Sequence, residues 1–138
     1  MIANRAYSAK GGTMEKNPQL DEHTRHFLLQ WEYFPYPALM IRRDRTILAA
    51  NPAAERAGIN ASIRCCDVGI KESHSSCLAD CALSENAAKR LVGYSKEFGA
   101  FLDSYWMPVV GLEDVFIHFS IDISNVADPA LFPAGEDQ

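Results

Sequence analysis

Val115-Phe116-Ile117-His118-Phe119-Ser120-Ile121-Asp122-Ile123 is the stretch whose reading decides the fold class. Val115, Ile117, Phe119, Ile121 and Ile123 alternate with Phe116, His118, Ser120 and Asp122. That is the period of two of a β-strand, here with one strongly apolar face. His118 falls on the face opposite Ile117 and Phe119 and is read as structural. Upstream, Gly111–Asp114 has turn composition and Ala100–Val110 reads as a partner strand, while Lys89–Lys96 fits neither template clearly.

The other end of the chain supplies a second strand pair. Ala38–Ile41 and Thr46–Ala50 are short apolar runs separated by the charged Arg42–Arg45, which is a hairpin pattern. Asn51-Pro52 then places a capping side chain before a proline at the first helical position, and Gly58 closes the helix over Ala53–Ala57. Asn17-Pro18 uses the same device earlier, with Asp21 and Glu22 in the first turn where the helix dipole favours acids. Leu20, Phe27, Leu28, Trp31 and Phe34 form one apolar stripe that stops at Pro35 and Pro37. Such a stripe packs on its own sheet or on a second protomer. His23 and His26 lie beside it as half-exposed polar residues.

Strands from both ends with helices between them predict an α+β domain, one antiparallel sheet with helices packed on a face. The expected boundaries are a disordered leader over 1–16, the domain over 17–125 and a flexible tail over 126–138. A chain of 138 residues with 48% hydrophobic composition buries one core without help from a metal or disulfide.

A net charge of -5 argues against a nucleic-acid partner, since phosphate binding needs a concentrated cationic face. The basic cluster Arg42, Arg43 and Arg45 reads as a solvated hairpin tip. No apolar run approaches the ~18–20 residues that span a bilayer, and residues 1–16 have no apolar signal segment, so no membrane role and a cytoplasmic location are expected. In that compartment Cys65, Cys66, Cys77 and Cys81 are reduced thiols, redox sensors or metal or cluster ligands rather than a disulfide framework.

These four cysteines, with His74, fall in the Ser- and Asp-rich stretch over 59–87, which reads as short helices and loops. If helical, Cys77 and Cys81 share one face and suit two positions of one metal site. Cys66 would add a third ligand, and Cys65 or His74 a fourth. Three thiolates and an imidazole, or four thiolates, suit zinc, and four thiolates suit an iron–sulfur cluster. Free thiols packed as small hydrophobes, or a reversible disulfide, remain the alternative. A thiol-dependent enzyme is disfavoured, because Asp67, Glu72 and Asp80 would raise a nearby thiol's pKa.

The order of elements resembles the PAS family. The residues that carry the resemblance are Pro35–Pro37 after the first helix, the strand pair turning at Asp44, Asn51-Pro52-Ala53-Ala54 after the second strand, and Phe116–Ser124, whose Asp122-Ile123-Ser124 is similar to the Asp-Ile-Thr ending of that family. The resemblance implies a curved five-stranded antiparallel sheet with short helices over its concave face, a small pocket, and an N-terminal amphipathic helix that dimerises through Phe27, Leu28 and Trp31. It also implies structural roles for Asn51 and for Asp122 at the domain exit. A subset of bacterial PAS domains carries a cysteine followed by Cys-x-x-Cys-Pro, whereas this chain has Cys-x-x-x-Cys and Ala82. Some members hold haem through a histidine near the position of His74, and the flavin-adduct motif of the light-sensing branch is absent. The expected function is a sensory module, not an enzyme. It would bind a small ligand or sense redox state and relay it to a second copy or a signalling partner, with a ligand-free interaction module as the alternative.

Overall fold

The computed structural model describes residues 17–61, 63–68 and 74–133. The expected leader over 1–16 lies outside them.

Helix α1 spans Pro18–Gln30, and its start follows the sequence signal: the Asn17 side chain accepts the Leu20 N–H at 3.1 Å, and proline occupies the first turn. Leu20, Thr24, Phe27 and Leu28 are its buried residues. Strands β1 (Ala38–Arg42) and β2 (Ile47–Ala50) make the expected hairpin. Asp44 accepts the Thr46 N–H inside its turn, and Arg45 adopts φ 77° to complete it. The basic tip is matched to acids, with Arg43 on Asp114 at 2.9 Å and Arg45 on Asp80 at 3.3 Å.

Helix α2 (Pro52–Arg56), a 3-10 turn at Cys65–Asp67 and helix α3 (Ala79–Glu85) follow, then strands β3 (Lys89–Ser95), β4 (Ala100–Pro108) and β5 (Val115–Asp122). The sheet is fully antiparallel in the order β2-β1-β5-β4-β3, so the two ends of the chain meet at the β1–β5 pairing. Lys89–Lys96, ambiguous in sequence, is thus an edge strand. Its Leu91, Val92 and Tyr94 are exposed, which is why no burial period marked it.

Two apolar layers flank the sheet. The outer layer packs Leu20, Phe27 and Leu28 of α1 on Ala38, Met40, Leu48 and Val115. The opposite layer, the roof, packs Ala54, Ile59, Ala79 and Ala82 on Leu39, Ile41, Trp106 and Phe116. This corrects the expectation of a single apolar face on β5: Val115 and Phe116, on opposite faces, are both buried. The physical reason is position, because a middle strand is covered on both sides.

The segment after the last strand is described as far as residue 133. It forms 3-10 turns at Ser124–Val126 and Pro129–Leu131, and Phe132 packs edge-on against Tyr94 and Phe101.

Candidate functional site

The roof side of the sheet carries the densest chemistry. Antiparallel register sets Trp106 opposite His118 and Ser104 opposite Ser120, and β1 contributes Leu39 opposite His118 and Ile41 opposite Phe116. Trp106 and His118 stack with ring centres 4.7 Å apart and planes 14° apart. The hydroxyls of Ser104 and Ser120 lie 2.7 Å from each other.

His118 Nδ1 is 2.8 Å from the Tyr105 carbonyl oxygen. A carbonyl only accepts, so Nδ1 carries the proton, and in the neutral ring Nε2 keeps its lone pair. Burial holds the imidazole neutral, pushing its pKa down to about 4; the Tyr105 bond opposes this and the nearby His74 reinforces it. His74 itself donates through Nε2 to the Val68 carbonyl at 2.6 Å, which occupies the nitrogen a haem iron would ordinarily take.

The four cysteines do not share one environment. Cys65 and Cys77 pack, half-buried, against the roof core. Burial, with Cys77 beside it, pushes the Cys65 thiol up to about 11, so it is protonated at neutral pH. Cys66 turns its sulfur to Asp67 at 4.0 Å, and Cys81 is exposed on α3. The structure does not gather Cys65, Cys66, Cys77, Cys81 and His74 around one point. Among the described residues no three His, Cys, Asp or Glu side chains converge in a way that would hold a metal ion. Helix α3 begins at Ala79, so Cys77 lies before it and the shared helical face with Cys81 does not exist. These residues do not fit zinc or an iron–sulfur cluster as arranged.

The residues expected at a dimer interface are divided. Phe27 and Leu28 are spent inside the outer layer, whereas Trp31 is half-buried against Phe34 and Phe119. Leu29 and Tyr33, on the exposed side of the same segment, were not singled out in sequence.

Asn51 is fully buried and joins three segments. Its Oδ1 accepts from Ala38 N and Ala54 N at 2.9 and 3.0 Å, and its Nδ2 donates to the carbonyls of Trp31, Phe34 and Tyr36 at 3.0–3.3 Å. Asp122 is exposed and accepts the Ser124 N–H at 2.9 Å, capping the turn by which the chain leaves the sheet; the Ser124 bonds hold its carboxyl below the usual range.

Sequence reasoning passed over Trp106, Ser104 and Ser120. The signal was available in parity: counting back from the turn at Gly111–Asp114 puts them on the face of Phe116 and His118. An open cleft of about 560 Å³ lies elsewhere, between the start of α1 and the β1–β2 and β4–β5 turns, with Arg42, Asp44 and Asp114 in its wall. Its Arg43 and Asp114 neutralise each other.

Among the described residues, no helix is long and apolar enough to cross a membrane. No family model and no curated protein matches the chain. Among solved structures, it is similar to a domain of an HTR-like protein from Haloarcula marismortui, with a TM-score of 0.55 and 23% identity over 64% of this chain and 98% of that one. It is also similar to the PAS domain of Bordetella pertussis BvgS, with a TM-score of 0.50 and 11% identity over 80% of this chain and 89% of that one. With its β2-β1-β5-β4-β3 sheet and intervening short helices, the chain has the PAS fold.

Proposed function

We propose that the chain is a sensory or signal-relay module, in which the roof side receives a small molecule or a redox signal and β5 passes it to α1 and a bound protein partner. One observation carries this reading: β5 serves both layers at once. Phe116 and His118 belong to the roof, while Val115, Ile117 and Phe119 pack in the outer layer with α1. A packed interior is bistable rather than soft, so an altered rotamer at Phe116 or His118 is felt across the strand.

The local chemistry favours a small, flat, weakly polar ligand. Trp106 and Phe116 supply apolar area, and the His118 lone pair on Nε2 accepts from an N–H or O–H donor. Nucleophilic catalysis is not the role of Cys65, since a thiol protonated at neutral pH is a poor nucleophile. The receiving partner is a second copy or another signalling protein, and Leu29 and Tyr33 are the exposed apolar groups beside Trp31.

The test uses a panel of small planar heterocycles in a thermal-shift screen, followed by amide exchange over Pro18–Gln30. Binding that is weakened at least tenfold in His118→Phe and that alters α1 exchange several-fold is the expected result. Binding with unchanged α1 exchange refutes the relay. If neither heterocycles nor oxidants alter the roof, the ligand-free interaction reading replaces it, and Trp31→Glu would then weaken the partner contact.

A further inference from the structure

We propose that Cys65 and Cys77 are a redox-closable pair, joined by a peroxide into a disulfide that pins the Cys65–Asp67 turn to the approach of α3. The bond supplies a redox arm to the reading above; its consequence rests on that reading, its formation does not.

Arg45 is what brings the two segments together. Its carbonyl accepts the Cys65 N–H at 2.7 Å, and its guanidinium reaches Asp80 Oδ1 with both terminal nitrogens at 3.3 Å. Asp80 stands three residues after Cys77, in the first turn of α3. One residue thus holds the backbone of one thiol's segment and the helix entered by the other's. Both residues then pack against the same apolar cluster, together with Val68, Leu78 and Leu83. Cys77 is also the charge-bearing neighbour that contributes most to the raised pKa of Cys65.

The remaining thiols are placed otherwise. Cys66 is turned to the Asp67 carboxylate, and Cys81 is exposed on α3. Neither Cys65 nor Cys77 sits in an α-helix, so bringing them to the Cβ–Cβ separation of ~3.8 Å that a disulfide prefers requires no α-helix to unwind.

The chemistry balances with a peroxide as the oxidant. The Cys77 sulfur, after losing its proton, attacks one peroxide oxygen. The O–O bond breaks, Cys77 becomes a sulfenic acid, and the other oxygen leaves as an alcohol, or as water from hydrogen peroxide. Cys65, the protonated and slower thiol, then loses its proton and attacks the Cys77 sulfur. The S–OH bond breaks and hydroxide leaves as water. Two electrons pass from the two sulfurs to the peroxide.

The experiment treats the full reduced chain with hydrogen peroxide, alkylates the remaining thiols under denaturing conditions, and maps peptides by mass spectrometry with and without reduction. The expected product is one intramolecular Cys65–Cys77 link, lighter by two hydrogens and reversed by dithiothreitol, with Cys66 and Cys81 still alkylated. Cys81→Ser should leave the yield unchanged and Cys77→Ser should abolish protection of Cys65. A Cys65–Cys66 link, an intermolecular Cys81 link, or Cys65 fully alkylated after peroxide treatment of the wild type overturns the proposal. A Cys65–Cys77 link that leaves α1 amide exchange unchanged supports the pair and counts against the relay, so the two readings fail separately.

Discussion

The two layers on either side of the sheet are built from different material. The outer layer rests on a 13-residue helix with large side chains, and its aromatic rings form a connected series: Phe27 to Trp31 at 5.9 Å, Trp31 to Phe34 at 4.9 Å, and Phe34 to Phe119 at 5.6 Å. The roof is a five-residue helix, a three-residue turn and a seven-residue helix, lying on the sheet largely through Ala54, Ala79 and Ala82. Helices that short have no stability of their own, and alanine contributes little buried area to hold them down. The difference assigns the frame to α1 and the adjustable part to the roof, which is where opening costs least.

The strongest way to break that comparison is to cut one side chain from each side. Phe27→Ala removes a buried ring from the outer layer and should cost about 3–5 kcal/mol. Leu83→Ala removes a half-buried side chain from the roof and should cost on the order of 1–2 kcal/mol. Urea denaturation of both variants measures this. Equal losses would mean that the roof is as firmly packed as the frame.

Asn51 sharpens the comparison from the seam between the layers, because its amide links the exit of α1, the first residue of β1 and the start of α2. Asn51→Ala leaves two backbone N–H groups without their acceptor and should cost about 2–3 kcal/mol. Asn51→Asp keeps the acceptor but loses the donor and sets a carboxylate against three carbonyl oxygens, so it should be no better than alanine. An Asp variant with wild-type thermal stability would show that the Nδ2 bonds carry nothing.

What could be read from the sequence followed local rules, and what escaped depended on distant neighbours. Asn17-Pro18 and Asn51-Pro52 specify helix starts within three residues, and both caps form. Apolar alternation identified β5 correctly, but not that its second face is covered, since that depends on where α2 and α3 settle. Strand β3 gave no period because, as an edge, it is largely exposed. The cysteine site escaped for a sharper reason. The first residue of α3 has no side-chain cap to announce it, and it is placed by Ala79 and Ala82 packing into the roof core. A start two residues beyond Cys77 separates the thiols that an i,i+4 spacing would have united.

The smallest effect asks whether the roof closes over His118 as tightly as its geometry implies. The ring's pKa lies near 4 in the folded chain, against about 6.5 unfolded, so between those values the unfolded state binds more protons. Stability is therefore fully present above about pH 6.5 and is lost as pH falls toward 4. Because the ring is only half-buried, the loss should be no more than about 2 kcal/mol. Asp44, Asp103 and Asp122 do not obscure this window: hydrogen bonds from Thr46, Arg90 and Ser124 hold them below their usual range, so their contribution is lost at lower pH. His118→Phe preserves a flat ring against Trp106 and removes the titration. Thermal melts of the two proteins from pH 7 to 4.5 should show a downward slope in the wild type that is shallower in the variant. Parallel slopes would mean that His118 takes up its proton without disturbing the roof, and the adjustable layer would then be looser than its stacking with Trp106 implies.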